Sequence, residues 1–183
     1  MSIGDVQIGG GAIIDDGVVL GHQDGGKLVI GPGARIRSGT IIYSGVTIGD
    51  NFKTGHHALI REDTVIGDDV LAGTGVVIDG HCRIGNNVSM QTNAYVTANT
   101  VLEDDVFMGP CSVTTNDKYM VQGAELTGAT IKKGARIGAN ATVLPGIIVG
   151  ECAVVGAGAV VTKNVGAGET VVGTPATVLH KEI

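Results

Sequence analysis

Residues 60–84 read IREDTVIGDDVLAGTGVVIDGHCRI, and a small or aliphatic residue returns at every sixth position of this stretch. The same spacing continues without a slip over residues 30–114, and shorter runs in this spacing cover residues 8–20 and 131–161. These sixth positions, which we call the anchors, are Ile, Leu, Val or Met with three exceptions, Thr54, Ala72 and Thr114. A period this short and regular predicts a solenoid, in which each repeat packs only on its neighbours.

The residue three positions after each anchor is equally regular. From Gly33 to Cys111, all of these corner positions except Cys111 hold Gly, Asn, Asp or His, the residues that most readily adopt a positive φ. Each repeat therefore ends in a tight corner, and three sides make an 18-residue coil. Residues 18 apart become vertical neighbours in parallel strands about 4.8 Å apart. We expect residues 1–183 to form one all-β domain of about eight coils.

Composition excludes several classes of function. The formal net charge is -6, and no basic stripe of the kind that binds phosphates is visible, so a nucleic-acid partner is disfavoured. No stretch approaches the roughly 18 apolar residues of a membrane-spanning helix, and we expect a cytoplasmic protein without membrane contact. Cys82, Cys111 and Cys152 have unrelated spacings and no CxxC pattern, which predicts free thiols and no metal site.

The repeat is interrupted in two places, where a solenoid can carry insertions at its corners. The first interruption, residues 21–27, is interpreted as a plain surface loop. The second, at about residues 116–129, is longer, and a long loop on a rigid rod usually has a function. Residues 165–183 follow the last anchor and are predicted to form a short C-terminal extension.

The motif [LIV]-G-x-x-x-x occurs repeatedly along the chain, at Ile48-Gly49, Ile66-Gly67, Ile84-Gly85, Ile137-Gly138 and Val149-Gly150. In this motif the chain resembles the hexapeptide-repeat acyltransferases over nearly its whole length. The resemblance implies a left-handed parallel β-helix and a homotrimer. The left hand would be unusual, because parallel crossovers are normally right-handed.

Three further segments are similar to the branch of this family that acetylates nucleotide-linked amino sugars. They read LEDDVFMGPCSVTTND at 102–117, VGAGAVVTKNV at 155–165 and VGTPA at 172–176. The resemblance implies acetyl-CoA as co-substrate, with Lys163 near its phosphates and Pro175 near its adenine. Its pantetheine arm is expected to lie along Gly138, Ala139, Gly156, Ala157 and Ala159. Lys132 and Lys133 are alternative phosphate contacts, or they belong with Arg136 to a solvated face.

The chemistry of the acceptor decides whether a catalytic base is needed. A sugar hydroxyl holds its proton so tightly that a base such as His is close to obligatory, whereas an amine is partly neutral near neutral pH. Galactoside-type relatives carry a catalytic His in the long loop, but residues 116–129 contain none, which favours an amino acceptor. The candidate catalytic residues are His56 and His57, with Asn93 on the same column two coils above.

The resemblance and the long loop together suggest five acceptor-binding residues, Asn86, Asn87, Asn116, Asp117 and Tyr119. Asp117 either holds the ammonium end of the acceptor or caps the loop. His81 lies below Asn99 in steps of 18 and is interpreted as an ordinary corner residue.

The predicted function is therefore an acetyl-CoA-dependent N-acetyltransferase that acts on a nucleotide-linked amino sugar. Three alternatives stay open. One is a sugar O-acetyltransferase of the same fold with His56 or His57 as base. The second is a zinc-dependent, carbonic-anhydrase-like β-helix, although its usual HxxxxH pair is missing here. The third is a trimeric scaffold without catalysis.

Overall fold

The computed structural model describes residues 4–23 and 25–179, which form a left-handed parallel β-helix and contain no helix. The chain visits three sheets in turn, so each sheet is one face of a triangular prism. In the described residues no helix is therefore available to cross a membrane. The predicted fold class is confirmed, with about 9 turns instead of the expected eight.

Every strand of the three faces is short, and most contain two residues. The first face holds β1 Val6–Ile8, β4 Leu28–Ile30, β7 Thr47–Ile48, β10 Val65–Ile66, β13 Arg83–Ile84, β16 Val101–Leu102, β19 Thr130–Ile131 and β22 Ile148–Val149. The second face holds β2 Ile13–Ile14, β5 Arg35–Ile36, β8 Lys53–Thr54, β11 Leu71–Ala72, β14 Ser89–Met90, β17 Phe107–Met108, β20 Arg136–Ile137, β23 Val154–Val155, β25 Thr170–Val172 and β26 Thr177–Val178. The third face holds β3 Val19–His22, β6 Ile41–Tyr43, β9 Leu59–Ile60, β12 Val77–Ile78, β15 Tyr95–Val96, β18 Val113–Thr114, β21 Thr142–Val143 and β24 Val160–Val161.

The corners between faces form three edges that run along the prism. We call the edge between the first and second faces the acidic edge, after Asp68 and its vertical neighbours. The edge between the second and third faces carries His56 and His57 and is called the histidine edge. The edge between the third and first faces carries the insertion at 116–129 and is called the loop edge. All corner positions predicted from Gly33 to Cys111 have a positive φ, which confirms that prediction.

The anchors point inwards and fill the core, as the six-residue period predicts. The residues four positions after the anchors are buried as well, and most of them are Ala, Val, Thr or Ser. They face the inside of a corner, where two strands converge and only a small side chain fits. The anchors Ile8 and Ile14 are instead 41% and 36% exposed, because they lie in the first coil, at the end of the described stack.

Two of the three anchor exceptions are explained by a buried hydroxyl pair. Thr54 Oγ1 lies 3.2 Å from Thr40 Oγ1, and Thr114 Oγ1 lies 3.2 Å from Thr100 Oγ1. Each anchor hydroxyl also accepts a 2.9 Å hydrogen bond from a backbone N–H, of Arg37 in the first case and Thr97 in the second. The threonine side chain therefore replaces a rung of the backbone ladder at both places.

We expect Thr114→Val to destabilise the protein although valine fits the anchor pattern better. Valine has nearly the same volume, but it leaves the buried Thr97 N–H and the Thr100 hydroxyl without this acceptor. An unsatisfied buried polar group costs about 1–3 kcal/mol. Urea denaturation will measure the loss in the free energy of unfolding. The anchor change Val143→Thr is the control in the opposite sense, and a Thr114→Val protein as stable as wild type would contradict the hydroxyl's role.

The C-terminal extension adds the ninth turn. Val165 bridges Val149 on the first face, and β25 pairs in parallel with β23 on the second face. The chain then reverses, and β26 pairs antiparallel with β25. The last turn is shorter than the others, because Val149 and Val165 are 16 residues apart instead of 18. The strict six-residue period therefore did not reveal it.

Candidate functional site

The histidine edge carries two of the predicted residue groups. His56, His57 and Asn93 lie on its lower part, and residues 138–139 and 156–157 lie higher on the same edge. The corner ladder joins them, since His56 O accepts from Gly75 N and Ala139 O accepts from Gly158 N. From His57 to Gly158 there are five coil steps of about 4.8 Å, or roughly 24 Å. One straight edge therefore connects the catalytic and co-substrate candidates.

The two histidines differ in their surroundings, although both are exposed. His56 Nδ1 lies 2.9 Å from Ser38 Oγ, one coil below, so its Nε2 is directed elsewhere. His57 has φ 58°, and its ring lies over Gly39, where a Cβ would collide with the ring. The ring centroids are 6.4 Å apart. His57 thus packs like the other corner residues, while His56 is held by a side-chain partner.

The glycines of the predicted pantetheine track have a structural reason to be glycine. A Cβ on Gly138 or Gly156 would come within 2.5–2.7 Å of atoms in the next coil. Ala159 is fully buried, and its N–H and C=O bond to Gly156 and Thr142. Its side chain therefore belongs to the core packing.

Lys163 and Pro175, predicted separately, line one cavity of about 540 Å³ at the C-terminal end of the prism. Glu169 also lines it, and this carboxylate accepts a 2.7 Å hydrogen bond from Gly166 N. The alternative cations are occupied elsewhere. Lys132 Nζ lies 2.7 Å from Glu103, which lowers the pKa of that carboxyl, and Lys133 Nζ lies 3.8 Å from Asp105. In the described part of the chain Lys163 has no ion-pair partner.

The long loop is closed at its neck by backbone hydrogen bonds. Thr127 N donates to Asn116 O at 2.9 Å, and Asn116 Nδ2 donates to Ala98 O at 3.2 Å. Asp117 Oδ1 accepts from the N–H groups of Tyr119 and Met120 at 3.0 and 2.7 Å. Asp117 therefore caps the loop with one oxygen. Its Oδ2 has no hydrogen-bond partner among residues 4–23 and 25–179.

A cleft of about 600 Å³ lies between this loop and the third face. Its apolar wall comes from a coil that follows the loop, and its polar groups come from the loop neck and from threonines of the third face. The lining consists of Tyr95, Thr97, Val113, Thr114, Thr115, Asn116, Asp117, Lys118, Met120, Leu144, Pro145, Ile147 and Thr162. Tyr119 is 70% exposed and lies on the outer side of the loop. Thr162 also lines the C-terminal cavity, so the two spaces adjoin.

Asn86 and Asn87 lie on the acidic edge, away from the other candidates within one chain. Asn86 Oδ1 accepts from Asp68 N at 2.8 Å, and Asn87 Nδ2 donates to Asp105 Oδ1 at 2.8 Å. These bonds form a vertical ladder that stabilises the corners. Their role in acceptor binding stays a prediction.

Metal chemistry finds no ready site in the structure. Across the described ranges, 4–23 and 25–179, no group of three or more His, Cys, Asp and Glu side chains is arranged to hold an ion. Cys82 is buried, and burial raises the pKa of its thiol to about 11, so it is a structural residue. The carbonic-anhydrase-like alternative gains no support from these positions.

Sequence comparison places the repeat in a known family. The family model of the bacterial transferase hexapeptide, which comprises six repeats, matches residues 63–98 and 128–163. No curated protein matches the chain. These two segments contain four of the five [LIV]-G motifs listed above or their immediate neighbours in the ladder.

Solved structures share the fold at low sequence identity. A UDP-N-acetylglucosamine acyltransferase from Bacteroides fragilis matches with a TM-score of 0.80 and 18% identity, over 96% of this chain and 70% of that chain. A polySia-specific acetyltransferase matches with a TM-score of 0.54 and 18% identity, over 100% of this chain and 85% of that chain. A variant of GDP-perosamine N-acetyltransferase from Caulobacter crescentus, in complex with CoA and GDP-perosamine, matches with a TM-score of 0.52 and 22% identity.

The last of these matches covers 78% of this chain, which spans only 57% of that enzyme. At these identities the likeness concerns the fold. The matched repeat and the shared fold together identify the chain as a left-handed β-helix protein of the hexapeptide-repeat transferase kind.

Proposed function

We propose that this chain transfers an acetyl group from acetyl-CoA to the amino group of a nucleotide-linked amino sugar. The observation that carries the proposal is the junction of two spaces at Thr162. One space holds Lys163 and Pro175, a cation and a flat apolar ring suited to phosphates and adenine. The other holds Asp117, a carboxylate suited to an ammonium group. Donor and acceptor can thus meet on one side of the prism.

Acetyl-CoA would enter at the C-terminal cavity and extend down the histidine edge. Lys163 supplies the positive charge for its phosphates. The corners at Ala157 and Ala139 supply a smooth track, since small residues let an extended arm approach the backbone. Asn93 lies lower on this edge and directly precedes strand β15, whose Tyr95 lines the cleft. The edge and the cleft therefore converge at a second point besides Thr162.

The cleft has the size and composition of a small-molecule site. Its volume lies within the range of about 300–1,000 Å³ that ligand pockets usually have. Leu144, Pro145 and Ile147 form the apolar wall, and the free oxygen of Asp117 attracts a cationic amine. These features favour an amino sugar with an apolar face over a strongly anionic acceptor.

The reaction needs little proton chemistry from the protein. The neutral amine attacks the thioester carbonyl carbon, the C–S bond breaks, and the departing thiolate receives the proton that the nitrogen loses. An amine is neutral part of the time near neutral pH, so a general base is not obligatory. A base would be needed for a hydroxyl acceptor.

The third face supplies a surface through which copies of the chain would pack. Its outward-pointing column from Val19 to Val160 is apolar except for Tyr95 and Thr142. The outward columns of the first and second faces contain arginines, such as Arg83 and Arg35. This contrast supports the homotrimer, with the cleft near the contact between subunits. The cytoplasmic location remains an expectation from the sequence.

A second candidate function is O-acetylation with His56 as base, and one contact favours it. The 2.9 Å contact between Ser38 Oγ and His56 Nδ1 fixes one ring nitrogen and leaves Nε2 to act on a substrate. Such a fixed tautomer is what a general base requires.

One assay separates the two candidates. Thiol release from acetyl-CoA is followed with wild-type and His56→Ala protein across a panel of nucleotide-linked amino sugars and the matching hydroxy sugars. We expect release with amino sugars only, and His56→Ala is expected to keep the rate within about tenfold. A loss of about 10²–10⁴-fold in His56→Ala would identify His56 as an essential base. Release with hydroxy sugars alone would overturn the choice of acceptor.

A further inference from the structure

Tyr95 reaches the cleft from a polar network that the predicted function did not include. Its hydroxyl donates a 2.9 Å hydrogen bond to Asp79 Oδ2. The other oxygen of that carboxylate, Oδ1, accepts a 2.9 Å hydrogen bond from Arg61 Nη1. The network therefore starts on the third face two coils below the cleft and ends in a side chain that lines it.

Arg61 is itself held on several sides. Its Nε and Nη2 donate to Glu62 at 3.1 and 2.7 Å, so the pair is bidentate. Its guanidinium carbon also lies 5.8 Å from the centre of the Tyr43 ring. A bidentate, stacked arginine has little freedom to turn. Asp79 is thus fixed in position by a rigid partner.

The direction of the Tyr95 hydroxyl follows from hydrogen-bond inventory. An ionised carboxylate only accepts hydrogen bonds, so the single phenolic proton must point at Asp79. Burial raises the pKa of Tyr95 and the Asp79 carboxylate raises it further, which keeps the phenol protonated. The oxygen of Tyr95 can then meet a ligand in the cleft only through a lone pair.

We propose that Tyr95 is a specificity-determining residue of the cleft, which accepts a hydrogen bond from an N–H or O–H donor of the acceptor sugar. Asp79 and Arg61 are positioning residues, because they act on the ligand only through Tyr95. The inference rests on the proposed function, since it takes the cleft to be the acceptor site. It adds a requirement that the function alone does not contain, namely a donor group on the acceptor opposite Tyr95.

The first test compares KM and kcat for the amino sugar that gives the fastest thiol release in the panel. Tyr95→Phe is expected to raise the KM for this sugar about tenfold, the usual effect of one lost hydrogen bond, with kcat changed much less. Asp79→Asn is expected to do the same, because the new amide can donate to Tyr95 and turn the phenolic proton into the cleft. Tyr43→Phe is the matched control, since Tyr43 lies outside the cleft, and its KM should equal that of wild type.

An unchanged KM in Tyr95→Phe would overturn the inference. A rise in the KM for acetyl-CoA instead of the sugar would also overturn it, because Tyr95 would then contact the donor substrate.

The second test does not depend on turnover. Absorbance at alkaline pH reports the ionisation of the three tyrosines, and the difference between wild type and Tyr95→Phe isolates Tyr95. In Asp79→Asn the Tyr95 transition is expected at lower pH, because the carboxylate that opposes ionisation is gone. An unmoved transition would show that the hydroxyl does not face Asp79 and would end the inference. A shifted transition in a protein that acetylates no sugar would leave the network in place and refute only the proposed function.

Discussion

Gly138→Ala is expected to lower the free energy of unfolding by about 3 kcal/mol or more. The new Cβ would lie 2.5 Å from Ala157 N, 2.7 Å from Gly156 C and 2.8 Å from Val155 O. All three are backbone atoms of the next coil, so no side chain can move aside. Gly138 N also donates a 2.8 Å hydrogen bond to Val155 O, and separating the coils would lengthen that bond. Chemical denaturation followed by circular dichroism measures the loss.

Two other glycines serve as graded controls for this substitution. Gly158 has φ +69° with open space around its Cβ position, so Gly158→Ala carries only the conformational cost of about 1–2 kcal/mol. Gly10 has neither a neighbour within 4 Å nor a positive φ, and Gly10→Ala should change stability by less than about 0.5 kcal/mol. Equal stability of all three variants would contradict the claim that close coil contact makes glycine necessary at 138. The result also bears on function, because loss of acetyl transfer in Gly138→Ala would then reflect folding and not a lost contact with CoA.

The corners and anchors were predictable because each depends on a local property. A positive φ is favoured by the residue at the corner itself, and an aliphatic anchor is required wherever a strand faces the core. Even Cys111, which departs from the Gly, Asn, Asp and His pattern, has φ 56°, because its place in the period fixes its conformation. Periodicity therefore carried the fold almost entirely.

The cleft was not predictable, because the long loop changes the vertical spacing. Below the loop, neighbours are 18 residues apart, as in Val77 and Tyr95. Across it, Val113 pairs with Thr142, 29 residues further on. The apolar wall at 144–147 therefore comes to lie beside the loop only after its length is absorbed. Asn116 still sits over Ala98 at the 18-residue step, but the chain leaves the ladder at Asp117.

The Tyr95 network escaped prediction for a different reason. Asp79 and Arg61 follow buried anchors and look like ordinary outward-facing residues in the sequence. Only the side-chain geometry shows that Arg61 joins Glu62 and Asp79 at once. The chemical types present at a solenoid surface are readable from the period, but their mutual contacts depend on rotamers.

Lys163→Glu is expected to raise the KM for acetyl-CoA by about 10- to 100-fold while kcat changes little. A hydrogen bond to a charged group contributes about 1.5–3 kcal/mol, and the substitution replaces that attraction by repulsion. Lys163 has no ion-pair partner in the described chain to weaken this effect, whereas Glu169 already contributes one negative charge to the same cavity. Initial rates at saturating amino sugar give both constants.

Lys53→Glu is the matched control, because it makes the same charge change on the exposed second face, far from the cavity. Its KM should stay at the wild-type value, which removes a general effect of net charge. Acetyl-dephospho-CoA then tests which group Lys163 meets. If the 3′-phosphate is its partner, this substrate has a raised KM with wild-type protein and gains little further increase in Lys163→Glu. An equal KM for acetyl-CoA in wild type and Lys163→Glu would place the phosphates elsewhere and would separate the C-terminal cavity from the co-substrate.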